Sequence, residues 1–72
     1  MSKPVFSYIM YMIHELAHAW NNTPGNVYFR LKNSGCIDDY LVPNYEVLHT
    51  LGTEYMINDV TEYLENRGFE TC

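Results

Sequence analysis

Between Pro4 and Trp20 the apolar residues Val5, Phe6, Ile9, Met10, Met12, Ile13, Leu16, Ala17 and Trp20 recur at three- and four-residue intervals. That period gathers them on one broad face of an α-helix. Ser7, Tyr11, His14 and His18 fall opposite this face, and Tyr8 and Glu15 lie on its flank. Pro4 suits the first turn, where its missing N–H leaves no hydrogen bond unmade. Asn21 and Asn22 end the helix.

Thr23-Pro24 reads as an N-cap followed by proline at the first helical position. A second helix is predicted over 24–33, with Val27, Tyr28 and Leu31 facing inward and Ser34-Gly35 as its stop. Residues 36–41 form a short turn or single helical turn that contributes Ile37, Tyr40 and Leu41. Asn44 caps a short helix over 45–51. Gly52 is expected to stop it in the left-handed conformation, with positive φ, and so to be the most demanding backbone position. Thr53 then caps a last helix over 54–67. Its buried stripe is Met56, Ile57, Val60, Tyr63 and Leu64, and its wet face is Asn58, Asp59, Thr61, Glu62 and Glu65. Gly68 ends it and Phe69 folds back toward the core, while residues 1–3 and the last few residues, 69–72, fray. Nothing alternates at period two for the length of a strand. The prediction is all-α: one domain over 1–72, a small compact bundle of three main helices plus one or two short connecting helices.

The length limits what such a bundle can bury. A chain of 72 residues removes only about 60% of its unfolded surface from water, which leaves a thin core and favours a partner. The cysteines, Cys36 and Cys72, do not make a disulfide framework, and Cys72 is the last residue. With no signal-peptide pattern and no long apolar run, the expectation is a cytoplasmic protein with no membrane contact. Charge is divided unequally. Up to Gly35 the chain carries Lys3, Arg30 and Lys32 against Glu15, and from Cys36 onward eight acids stand against Arg67 alone. Nucleic-acid binding is disfavoured, since phosphate contacts need clustered Lys and Arg, whereas an acidic half suits a basic protein partner.

One segment looks like chemistry. His14-Glu15-Leu16-Ala17-His18 matches H-E-x-x-H. On a helix, residues four apart share a face, so His14 and His18 would ligate one zinc ion while Glu15 polarises a bound water. A catalytic zinc also needs a third protein ligand, and neither His49 nor any later carboxylate sits in a recognisable ligand motif. The pair also points away from the wide apolar face, toward solvent. Surface histidines are therefore the favoured reading, and a minimal zinc hydrolase is the alternative. Cys36 with His49 as its base is a weaker arrangement than a small core cysteine.

From Tyr45 the chain carries Tyr45, Val47, Leu48, His49, Thr50, Gly52, Glu54 and Tyr55 in a Y-x-V-L-H-T-x-G-x-E-Y block, continued by Asp59 and Val60. This block resembles the short bacterial protein family called domain of unknown function thirty-seven ninety-one. The resemblance implies a compact helical protein without an agreed activity. It also implies an antitoxin-like partner role beside an ADP-ribosyltransferase-like protein, and it does not bring the H-E-x-x-H motif with it. Within the block, His49 is placed to cap the carbonyl end of the short helix.

The resulting expectation is a non-enzymatic protein–protein interaction module, binding a protein partner or a second copy of itself. Its contact residues would be Tyr8, Tyr11, His14, His18 and His49. Amphipathic aromatic groups stand there in place of the Lys and Glu of an ordinary solvated face, and tyrosine is enriched at interfaces.

Overall fold

The periodic pattern of the first twenty residues becomes a single helix, α1, spanning Lys3–Trp20 with Pro4 in its first turn. The computed structural model describes residues 1–71; Cys72 and the sequence expectations that involve it lie outside the described residues. Asn21 closes α1 in the left-handed conformation at φ 52°, and the Asn22 N–H reaches back to the Ala17 carbonyl at 2.9 Å. Asparagine tolerates that conformation better than most residues.

Helix α2 spans Pro24–Asn33, and the Thr23 hydroxyl accepts the Asn26 N–H at 3.2 Å. The connection after it is a π-helix, Cys36–Leu41, in which the Val42 N–H bonds the Ile37 carbonyl five residues back at 2.9 Å. Gly35 enters it at φ 83°. A short helix, α3, covers Tyr45–Leu48, and the last helix, α4, covers Thr53–Asn66 and stops before Gly68 at φ 80°. No strand occurs among the described residues, and the architecture is the all-α bundle of three main helices.

Gly52 corrects the sequence reading. Its φ is −65° and ψ 150°, an extended conformation in which it serves as the N-cap of α4. Helix α3 ends at Leu48 rather than at 51. The chain then unwinds through three-residue turns, with the Thr50 N–H on Val47 and the Leu51 N–H on Leu48. The chain is already out of α3 when it reaches Gly52, so no left-handed residue is required there.

Among the described residues fifteen apolar side chains form the core. Helix α1 supplies Ile9, Met12, Ile13, Leu16, Ala17 and Trp20; α2 supplies Val27 and Leu31. The π-helix adds Cys36, Ile37 and Leu41, α3 adds Leu48, and α4 adds Met56, Val60 and Leu64. Phe69 packs against this core. The radius of gyration of 11.0 Å is that of a fully collapsed chain of this length.

Helices α1 and α4 lie side by side. The Tyr11 hydroxyl bonds the Thr53 hydroxyl, and the Trp20 indole N–H donates to Thr61 Oγ1 at 2.8 Å. These bonds step forward along both helices, so the two run in the same direction. Thr61 is half-buried and not on the wet face, and its hydroxyl donates a hydrogen bond to the Ile57 carbonyl. Asp59 is also half-buried, drawn against the π-helix by a hydrogen bond from the Tyr40 hydroxyl.

Candidate protein-docking surface

The tyrosines singled out in the sequence are engaged by the chain's own connections. Tyr8 is half-buried; its ring meets Tyr45 edge-on at 5.5 Å and its hydroxyl points to the Leu48 carbonyl at 3.4 Å. Burial pushes its phenol above the ordinary tyrosine range, with nearby Tyr11 adding to the effect. Tyr11 is exposed but tied to Thr53 at the start of α4. His49 stacks on Tyr45 at 4.4 Å, with planes 12° apart, and its Nδ1 lies 2.7 Å from the Tyr45 carbonyl oxygen. The carbonyl can only accept, so the proton sits on Nδ1 and Nε2 is left to solvent. Tyr8, Tyr11 and His49 thus meet at one seam joining α1 to α3 and the start of α4.

His14 and His18 stand apart from that seam, exposed on the outer face of α1, with Glu15 half-buried beside them. Among the described residues no group of three or more His, Cys, Asp or Glu is arranged to hold a metal ion. Among the described residues the pair has no third protein ligand beside it, which a catalytic zinc site requires. Cys36 is fully buried, and burial, reinforced by Asp59 and opposed by Arg67, raises its thiol to about 12. A thiol so placed is an unreactive core group.

The surface that sequence reading missed lies on the other flank of α1. Phe6, assigned there to the core, is 55% exposed; Met10, also assigned to the core, is 37% exposed; and Tyr28, expected to face inward, is 47% exposed. With Met1, Ile9, Ile13 and Ile37 they line a groove of about 170 Å³ between α1, α2 and the π-helix. Lys32 and Asp38 stand at this groove and neutralise one another through a 2.9 Å ion pair. Phe29, 66% exposed, extends the apolar character of α2. The physical cause is the width of the apolar face of α1. Neighbours cover its centre, and among the described residues no element covers the edge carrying Phe6 and Met10. The signal was present in the sequence as an apolar stripe wider than a single buried seam requires.

A second concavity, of about 300 Å³, lies where α4 meets the π-helix, lined by Tyr40, Asp59, Glu62, Tyr63 and Asn66. Tyr40 and Tyr63 stack there at 5.1 Å, and the Arg67 guanidinium lies 4.4 Å over Tyr63. Burial and the hydrogen bond to Asp59 push the Tyr40 phenol well above its ordinary range.

A family model whose description reads "Protein of unknown function (DUF3791)" matches residues 7–67, from the first turns of α1 to just beyond α4. No curated protein and no solved structure matches the chain.

Proposed function

The chain belongs to the DUF3791 family, and we propose that within it the fold serves as a non-enzymatic module that docks on a protein partner through the α1–α2 groove. The observation that carries this reading is the exposure of Phe6, Met10 and Tyr28 around a concave, otherwise apolar floor. Leaving large apolar side chains in water forgoes burial worth about 1.5–3 kcal/mol each, which a docking partner recovers. The occupant is the apolar ridge of a helix from a protein partner. The groove runs between two helices, and its one pair of opposite charges is already satisfied, so apolar side chains gain most from entering it.

The partner to test first is the ADP-ribosyltransferase-like protein that the family resemblance implies, with this chain acting as its antitoxin-like companion in the cytoplasm. Calorimetric titration of that protein with the wild-type chain should give a stoichiometric complex. Met10→Glu, at a partly exposed groove position, should weaken it at least tenfold, and His14→Ala should leave it unchanged. Binding that is indifferent to Met10→Glu removes the groove from the interface. If light scattering shows instead that the groove is closed by a second copy of the chain, Met10→Glu should convert a dimer to a monomer, and the proposed hetero-partner is wrong.

A further inference from the structure

The cleft beside α4 has the opposite chemistry to the groove. Asp59 and Glu62 bring carboxylates, Asn66 an amide, and Tyr40 and Tyr63 two stacked rings. The Tyr40 hydroxyl occupies one oxygen of Asp59, which leaves the other free to accept. Among the described residues the one ion pair joins Lys32 to Asp38, so no lysine or arginine lies within ion-pair distance of Asp59 or Glu62. Asp59 is half-buried, where the dielectric is lower than in water and an unmatched anion gains most from a visiting positive charge. The Arg67 guanidinium lies 4.4 Å from the centroid of Tyr63, so one ring of the pair already meets a guanidinium of the chain's own.

We propose that the cleft formed by Tyr40, Asp59, Glu62, Tyr63 and Asn66 receives an arginine side chain from a basic segment of a protein partner. Arginine fits better than lysine. Its planar fork can bridge a carboxylate and a neighbouring amide or hydroxyl, and it lies against aromatic walls, whereas an ammonium is a compact, strongly hydrated charge. The field around the cleft has the matching sign, since eight acids between Cys36 and the end of the chain stand against Arg67 alone. The inference rests on the reading of the chain as a docking module and adds the partner's chemistry to it. The π-helix contributes to both surfaces, with Ile37 and Asp38 at the groove and Tyr40 at the cleft.

The test is an NMR titration of the whole ¹⁵N-labelled chain with the peptide acetyl-Gly-Arg-Gly-amide. Two further arms use the same peptide with lysine or with citrulline, the neutral isostere of arginine. Shifts should concentrate at the five cleft residues. The lysine peptide should bind several-fold more weakly, and the citrulline peptide at least tenfold more weakly. Glu62→Gln, at an exposed helix position that leaves the Tyr40–Asp59 bond intact, should weaken the arginine peptide several-fold. Met10→Glu should not change it, which separates this cleft from the groove. No response, an equal response to citrulline, shifts spread over the acids of the whole surface, or stronger perturbation of the same residues by magnesium chloride alone would each overturn the proposal.

Discussion

The two flanks of α1 are built from opposite materials and treated in opposite ways. The flank toward α3 and α4 carries Tyr8, Tyr11 and Trp20, each with a polar end, and each polar end finds a partner within the chain. The flank toward α2 carries Phe6 and Met10, which have no polar atom to satisfy and stay substantially in water. The usual assignment, in which polar aromatics mark the contact face and aliphatics mark the core, is therefore reversed at the edges of this helix. A hydroxyl or indole N–H is specific enough to lock a seam between short helices, since it must point at one acceptor. An apolar side chain is buried only if something is large enough to cover it, and among the described residues no element covers Phe6 and Met10.

The sharpest way to break this comparison is to delete the seam's largest member. Trp20→Ala removes a buried indole and its bond to Thr61 and should cost about 3–5 kcal/mol in chemical denaturation, enough to unfold much of a domain this small. A cost below about 1 kcal/mol would mean that the seam is not structural.

Alkali should act next most strongly. The Cys36 thiol is raised from 9.0 to about 12, and the Tyr40 phenol is raised in the same direction. Both groups lose their proton more easily unfolded than folded, so their contribution to stability is complete below about pH 9 and declines as pH rises from 9 toward 12. A tenfold change in ionisation corresponds to about 1.4 kcal/mol, so the loss over that window is on the order of a few kcal/mol. Cys36→Ala should flatten the upper part of the profile; an unchanged profile would place its origin elsewhere.

Two glycines sharpen the contrast further. Gly35, at φ 83° on the groove side, would bring an added Cβ to 2.8 Å from Asp39 Oδ2, whereas Gly52, on the seam side, has an extended backbone and open space around it. Gly35→Ala should therefore cost about 1–2 kcal/mol, and Gly52→Ala only a few tenths. Equal effects in thermal melts would contradict the assigned conformations.

The smallest effect belongs to the groove itself. Phe6→Ser should change stability by no more than about 0.5 kcal/mol, as expected for a surface position. A loss above about 2 kcal/mol would show that Phe6 is core after all and that the groove is not open.

These outcomes also explain what could be read from the residues alone. The ends of α1 and α2 were legible because Pro4, Thr23-Pro24 and Ser34-Gly35 are chemical punctuation. The core stripe of α4 was legible from its period. Gly52 was misread because glycine serves equally as a left-handed stop and as an extended N-cap. The choice depended on whether α3 had already unwound, which the three-residue turns at Thr50 and Leu51 decide. Residues 36–41 read as a short turn or single helical turn, but the π form itself was not legible, since its five-residue hydrogen bond leaves no periodic signature in six residues. Asp59 was read as solvated because nothing local announces Tyr40, nineteen positions earlier, as its partner. The groove was hidden by the assumption that an apolar face of a helix is always covered.

The central claim is that partners meet the chain at the groove and not at the histidine face of α1. Methionine methyl NMR tests it most directly, because Met10 lies at the groove while Met12 and Met56 are buried within the core as internal references. On adding the proposed ADP-ribosyltransferase-like partner at stoichiometric concentration, the Met10 methyl should shift and lose its solvent accessibility, with Met12 and Met56 nearly unmoved and the ring signals of His14 and His18 unchanged. Shifts at His14 and His18 with a silent Met10 would contradict the account.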